Sequence, residues 1–173
     1  MGSNAKRLVL LGPPGSGKGT QAERLAERVS VPAISTGDMV RAAIASGSQL
    51  GRRVEEIVAA GSLVDDQAMG EIVRQRLGEA DTAGGFLLDG YPRTLPQAET
   101  LASILVELEE SLDAVVLIDV REEELVRRLL DRKRADDQED VIRHRLEVYR
   151  EQTAPLVEHY RTRDLLVEID GNQ

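Results

Sequence analysis

Cysteine and tryptophan are absent from this 173-residue chain, and phenylalanine occurs once. Without cysteine there can be no disulfide framework, no thiolate zinc site and no thiol nucleophile. With aromatic residues at only 2%, the core has to be built from Leu, Val, Ile and Ala. No apolar run approaches the roughly 20 residues that a bilayer-spanning helix needs. Nothing near the start resembles the apolar region of a secretory signal, so the expectation is a soluble, cytoplasmic protein with no membrane partner. The opening stretch from Met1 to Ala5 has no periodicity and reads as a remnant outside the fold. Positive charge is also in short supply. Lys and Arg number 22 against 31 Asp and Glu, a net charge of -9, and the basic residues are interspersed with acids. Such a surface repels a polynucleotide backbone, which argues against a nucleic-acid partner.

What remains has the balance of a globular protein, 41% apolar and 31% charged, with a length that suits one domain, 1–173, carrying mobile flaps. Lys6–Leu11 is a β-rich apolar run ending in a Gly/Pro cluster, and from Lys18 to Val29 the apolar positions fall at helical spacing. Phe86–Leu88, Ala114–Ile118 and Leu165–Ile169 read as further buried strands. Amphipathic stretches lie near 65–78, 94–109, 121–132 and 137–160. This alternation predicts an α/β fold, a parallel sheet sandwiched between helices. Two segments break the rhythm and are candidate flaps: a polar helical stretch over 35–64, punctuated by glycines, and the charged stretch 131–137.

Gly12-Pro13-Pro14-Gly15-Ser16-Gly17-Lys18 fits the phosphate-loop pattern G-x-x-x-x-G-K, with a strand before it and a helix after it. Glycines let successive backbone N–H groups turn inward around phosphate oxygens. The helix N-terminus adds its positive end, and Lys18 adds a compact charge for the β- and γ-phosphates of a nucleoside triphosphate. Gly19 follows the lysine and the hydroxyl comes one place later, at Thr20, whereas the common pattern puts the magnesium-binding hydroxyl directly after the lysine. Asp89, at the end of a buried strand, is then the natural partner of a phosphate-bound Mg²⁺, through water.

Arg41, Arg93, Arg128, Arg132, Arg134 and Arg145 sit in or beside the loops and flaps. Guanidinium groups suit phosphate oxygens, and phosphoryl transfer mainly requires positioning and charge neutralisation. For any single arginine, and for Arg127, Arg143 and Arg150 in particular, a solvated helix charge or an ion pair one turn away is the simpler reading from sequence alone. The only histidines, His144 and His159, lie in a charged helical stretch and read as surface residues. A hydroxyl acceptor would need a positioned base, whereas a phosphate oxygen is already an anion. An arginine-rich site without an obvious base therefore points to a phosphate as acceptor.

Four linked motifs carry more than this. Gly12 to Thr20, Ile34-Ser35-Thr36-Gly37-Asp38 with Arg41, Gly85-Phe86-Leu87-Leu88-Asp89-Gly90-Tyr91-Pro92-Arg93 with Gln97, and Arg134-Ala135-Asp136-Asp137 with Arg145 to Tyr149 resemble the adenylate kinases in order and spacing, from about Lys6 to Gly171. The resemblance implies a P-loop NTPase-type three-layer α/β/α fold with a central five-stranded parallel sheet. It implies a helical monophosphate-binding flap over 35–64 and a short lid over 131–137. It also implies reversible phosphoryl transfer from Mg-ATP to AMP giving two ADP, in a monomer. Thr36, Arg41, Ser62, Leu63, Val64, Gly90, Tyr91, Pro92, Arg93 and Gln97 are then expected to hold AMP, with Gln97 reading the adenine edge and Arg41 and Arg93 on the α-phosphate. Gly15, Ser16, Gly17, Lys18, Gly19 and Thr20 are expected on the ATP phosphates, Arg128 on the ATP adenine, and Gly171 beside it. Arg132, Arg134 and Arg145 are expected to close around the transferred group.

Pyrimidine monophosphate kinases, the alternative reading, tend to carry Ala at the position of Thr36 and Asn at that of Thr94, so Thr36, Thr94 and Gln97 favour adenine. Many bacterial members of the family have a long lid, sometimes with a zinc site. Here only Lys133 separates Arg132 from Arg134, which implies a short lid without zinc. The family usually has a last helix after Ile169-Asp170-Gly171, and this sequence stops at Gln173. A guanine-nucleotide switch would require an N-K-x-D segment, which is missing, since the asparagines are Asn4 and Asn172. A hydroxyl kinase would share the phosphate loop but not the set Thr36, Arg41, Arg93 and Gln97.

Overall fold

A computed structural model describes residues 6–59, 64–132 and 138–172. Its strands are β1 (Lys6–Leu11), β2 (Ala33–Ser35), β3 (Gly85–Asp89), β4 (Ala114–Asp119) and β5 (Leu166–Asp170). The helices are α1 (Lys18–Val29), α2 (Thr36–Ala45), α3 (Gln49–Ala59), α4 (Asp66–Leu77), α5 (Leu95–Glu107), α6 (Glu122–Arg132), α7 (Glu139–Val148) and α8 (Pro155–Arg161). The strands form one all-parallel sheet in the order β2-β3-β1-β4-β5.

Period-2 side-chain alternation divides each apolar strand between two cores. Val9, Leu11, Phe86, Leu88, Val115 and Leu117 face one side, where they pack with Met39, Val54, Ile72, Leu101 and Leu156 of the helices there. Leu8, Leu10, Leu87, Val116 and Ile118 face the other, against Ala22 and Ala26 of α1, Leu125 and Leu129 of α6, and Ile142 and Leu146 of α7. Helices therefore cover both faces, the three-layer arrangement expected. Tyr91 and Phe86 are the largest fully buried side chains, so the few aromatic residues sit where they fill most volume.

Three details depart from the sequence reading. β2 is only three residues long and is held by backbone pairing of Ala33, Ile34 and Ser35 to Leu87, Leu88 and Asp89, too short to show a pattern of its own. The stretch 137–160 is not one helix: α7 gives way at Tyr149–Thr153 to a wider π-helical turn, and α8 starts at Pro155. Pro155 lacks the N–H that a continuous α-helix would use, and it is accepted at a first turn. The candidate flap 35–64 contains two helices whose buried Met39, Ala43, Leu50 and Val54 join the core cluster of α4. α3 crosses α2 so closely at Gly51 that a Cβ there would lie 2.0 Å from the Ala43 carbonyl oxygen. Only glycine permits that approach.

The strand order places β1 between β3 and β4, with the chain running to β2 and β3 on one side and to β4 and β5 on the other. This reversal opens a crevice at the carboxyl ends of the strands, where α/β sheets bind ligands. Leu10, Asp89 and Ser35 stand level in the sheet, so the segments following β1, β2 and β3 emerge side by side.

Candidate active site

The loop from Gly12 to Gly17 closes on itself through the Ser16 N–H, which donates to the Pro13 carbonyl at 3.1 Å, and α1 begins at Lys18. Gly15 and Gly17 have φ near +84° and +88°. At Gly15 a Cβ would also sit 2.9 Å from Leu129 Cγ and 3.2 Å from the Leu125 carbonyl oxygen, so the loop is pressed onto α6. At Gly17 and Gly19 a Cβ would meet nothing within 4 Å, which leaves the N-terminal end of α1 open to an incoming anion. Thr20 is exposed on the first turn of α1, and the Ser16 hydroxyl is buried without a hydrogen-bond partner among the described residues.

Lys18 and Asp89 meet at the centre of this edge, Nζ to Oδ1 at 3.7 Å, with side chains 24% and 17% exposed. Burial holds the Lys18 ammonium below its ordinary value. Asp89 works against that, while the positive charges of Arg93 and Arg145 add to it. Arg93 and Arg145 thus share the electrostatic surroundings of Lys18, although they lie 75 and 127 positions further along the chain.

Beside this cluster, Arg93 Nε donates to the Gly90 carbonyl at 2.8 Å, and the Arg93 carbonyl accepts from the Thr153 hydroxyl at 2.8 Å. Gly90, at φ +92°, leaves room that a Cβ would fill: such an atom would be 2.7 Å from Thr36 Oγ1 and 3.4 Å from Arg93 Nη2. Thr36 Oγ1 is itself buried and has no hydrogen-bond partner among the described residues. A buried hydroxyl without a partner has hydrogen-bonding capacity left over. Tyr91 is fully buried, the Tyr91–Pro92 peptide is cis, and the Tyr91 hydroxyl donates to the Gln97 carbonyl at 3.3 Å. Gln97 opens α5 behind its cap Thr94 and bridges Arg93 to Asp66 through its side-chain amide.

On the other side of the phosphate loop, Arg128 Nε donates to Glu124 at 2.9 Å, and its Nη2 donates to the Gly171 carbonyl at 2.6 Å. Gly171 tolerates no side chain, because a Cβ would lie 2.6 Å from Ile118 Cγ2 and 2.7 Å from Val120 Cγ2. Hydrogen bonds from Arg127 and Arg128 pull the Glu124 carboxyl down to about 2.

The adenylate kinase family model matches residues 10–165 of this chain. The chain is 51% identical over 166 residues to an adenylate kinase of Corynebacterium urealyticum, covering 96% of this chain and 92% of that one. It is 53% identical over 169 residues to one from Kocuria rhizophila, covering 95% and 90% respectively. With one from Synechococcus sp. it shares 53% identity over 163 residues, 94% of this chain and 88% of that one. The chain belongs to the adenylate kinase family. A pyrimidine-specific assignment is correspondingly not favoured.

Adenylate kinase readings of the sequence can now be placed residue by residue. Lys18, Asp89, Arg93 and Arg145 share one cluster, with Gly90, Thr36 and Gln97 adjoining it, and Arg128 with Gly171 lies on the α6 side. Arg41 is exposed and paired with Asp38 over the first turn of α2, Nη2 to Oδ1 at 2.5 Å. Arg132 ends α6 on an exposed turn. Val64 packs partly buried against the core, whereas Ser62, Leu63 and Arg134 lie outside the described residues. Arg127 pairs with Glu124 and Arg143 with Glu139 one turn away on their own helices, as expected of them, whereas Arg150 pairs with Glu122 of α6, 28 positions away. His144 is exposed on α7 and His159 half-buried on α8. Sequence reasoning missed Asp66, Glu124 and Thr153, each of which holds a site residue. Asp66 and Thr153 contact partners 31 and 60 positions away, and Glu124 looked like one of several acids at a helix start.

A metal ion accompanying ATP suits this donor set. Among the described residues no group of three or more His, Cys, Asp or Glu is placed to hold a metal. Asp89 is a single, partly accessible carboxylate beside the phosphate loop, suited to an ion held mainly by nucleotide phosphates and water.

Proposed function

We propose that this adenylate kinase transfers the γ-phosphoryl group of ATP to the α-phosphate of AMP in the crevice between the segments following β1 and β3. The observation that carries the reading is the convergence of Asp89, Arg93 and Arg145 on Lys18 at the N-terminal end of α1. An α-phosphate oxygen of AMP attacks the γ-phosphorus. The bond from that phosphorus to the β,γ-bridging oxygen breaks, and its electron pair leaves with ADP. The attacking oxygen is already an anion, so no base is needed, consistent with two histidines that both lie on outer helices.

In this reading Gly15 to Thr20 cradle the ATP phosphates with backbone N–H groups and the α1 dipole. Lys18 neutralises charge developing between the β- and γ-phosphates, and its burial makes that charge count for more than it would in water. Arg93, held by Gly90, and Arg41, released from Asp38, grip the AMP phosphate bidentately. Thr36 offers its hydroxyl to AMP, and Gln97 faces the base. Arg128, braced by Glu124 and Gly171, stacks on the ATP adenine. Asp89 would hold the Mg²⁺ of Mg-ATP through water, and the ion would supply further charge neutralisation at the phosphates. Residues 35–64 act as the AMP flap, Arg132 and Arg134 close over the transferred group from a short lid that excludes water, and Arg145 meets it from α7.

The same reading makes the protein a cytoplasmic monomer. The bacterial relatives and a site assembled within one chain support it, and no helix among the described residues is long and apolar enough to cross a membrane.

The test is a coupled assay offering ATP with AMP, UMP, CMP or GMP. Turnover with AMP that collapses in Arg93→Ala supports the assignment. No turnover with any monophosphate, or an Arg93→Ala variant as active as wild type, would sink it.

A further inference from the structure

We infer that Asp66 is a positioning residue that fixes the amide sense of Gln97, making the monophosphate pocket select a 6-amino purine over a 6-oxo purine. The inference rests on the reading that Gln97 faces the base of the acceptor nucleotide, and it adds what decides which base.

Gln97 is anchored at both ends of its amide. Its Oε1 accepts from the backbone N–H of Arg93 at 2.7 Å, and its Nε2 donates to Asp66 Oδ1 at 2.8 Å. A primary amide can be turned by half a revolution at little steric cost, exchanging its donor and acceptor ends. Here the partners forbid that exchange. A backbone N–H can only donate and an ionised carboxylate can only accept, so one orientation forms both bonds and the other faces two like groups. The sense of the amide is thus set by chemistry rather than by shape.

With those bonds made, Gln97 retains one lone pair on Oε1 and one N–H on Nε2. Adenine presents along its Watson–Crick edge an N6–H donor beside the N1 acceptor, which complements that pair. Hypoxanthine and guanine present the reverse, an O6 acceptor beside an N1–H donor, and would face acceptor with acceptor and donor with donor. An ill-matched base would leave the amide of half-buried Gln97 unpaired, which disfavours it relative to adenine.

Asp66 is delivered to this place by the start of α4. Asp65 caps that helix by accepting from the Ala68 N–H at 2.7 Å, which makes Asp66 the first helical residue. Thr94 caps α5 in the same way through the Gln97 N–H at 3.3 Å. Two helix starts, 31 positions apart at Asp66 and Gln97, are thereby set facing each other.

The experiment compares AMP with IMP, which differ at position 6 and in the proton on N1, as phosphoryl acceptors for wild type, Asp66→Ala, Asp66→Ser, Asp66→Asn and Gln97→Ala. Losing one net hydrogen bond shifts an equilibrium about fivefold, so Asp66→Ala is expected to raise KM for AMP and lower the AMP-to-IMP preference in kcat/KM by about that factor. KM for ATP should stay the same and kcat should remain within about twofold, because no contact to the transferred group changes. Asp66→Ser, which suits a helix first turn but is too short to reach Gln97, is expected to behave alike and serves if the alanine variant does not fold. Asp66→Asn keeps an acceptor oxygen in place and should restore most of the preference. An unchanged AMP-to-IMP ratio in Asp66→Ala or Asp66→Ser, alongside a ratio lost in Gln97→Ala, overturns the role of Asp66 alone. A Gln97→Ala variant with wild-type KM for AMP overturns the underlying reading of Gln97.

Discussion

Lys18 Nζ stands 3.7 Å from Asp89 Oδ1, joining the first turn of α1 to the end of β3 across the crevice that the strand order opens. The ammonium is held below its ordinary value by burial, so the fold keeps a positive charge at the N-terminal end of α1 against a desolvation cost.

Replacing Lys18 by Met should separate catalysis from stability. Loss of one preorganised charge at the reacting phosphates is expected to lower kcat by roughly 10²–10³. Stability at neutral pH should be equal or higher, because a buried cation is removed. For a lysine depressed in the folded state, the unfolded chain binds the extra proton between the folded value and the ordinary value of 10.5. The Lys18 contribution to stability should therefore become less unfavourable as pH rises through that window, narrowing the gap between wild type and Lys18→Met. Steady-state kinetics and melting temperature against pH check both parts.

Thr36→Val should move affinity and stability in opposite directions. The Thr36 hydroxyl is buried without a hydrogen-bond partner among the described residues, so an isosteric methyl relieves an uncompensated polar burial. The melting temperature is expected to stay level or rise, while KM for AMP increases several-fold, about the worth of one hydrogen bond. A fall in both would mean that the hydroxyl serves the fold rather than the ligand.

Gly15→Ala and Gly17→Ala should differ, although both glycines have positive φ. At Gly17 the added methyl meets nothing within 4 Å, leaving a backbone cost of about 1–2 kcal/mol. At Gly15 it also meets Leu129 Cγ at 2.9 Å and the Leu125 carbonyl at 3.2 Å, so the loop must lift from α6 and the loss should be larger by about 1 kcal/mol or more. Denaturant unfolding of the two variants measures the difference.

Alkaline unfolding should be steep. Burial pushes the hydroxyls of Tyr91, Tyr149 and Tyr160 from 10.0 up to about 12. A group whose value is raised on folding contributes stability that is complete below the unfolded value and is lost as pH climbs through the folded one. Stability is therefore expected to fall between pH 10.0 and about 12, with each tyrosine contributing to the slope. Tyr160→Phe, at a site only 4% exposed, should flatten that slope and raise the pH of half-unfolding. Circular dichroism during alkaline titration reports the change.

Much of this was legible in the order of residues. β1, β3, β4 and β5 announced themselves as apolar runs because a parallel sheet buries both faces of its strands, and the glycine loop before Lys18 because a phosphate cradle requires that backbone. β2 was not legible, since three residues carry no period and the strand exists through its pairing to β3. The break at Tyr149–Thr153 escaped because the charged pattern of 137–160 runs through it without interruption.

The sequence by itself determined the chemistry on offer: a phosphate loop, a supply of arginines, no thiol, and motifs whose spacing resembles one kinase family. These are local properties, written in neighbouring residues. Only the tertiary structure decided which groups meet. Lys18 finds Asp89, Gly171 receives Arg128, Thr153 holds Arg93, and Asp66 turns the amide of Gln97. Each pair joins residues at least 31 positions apart. Such contacts depend on where helices and strands are laid against one another, and packing of the two cores on either side of the sheet is what lays them there.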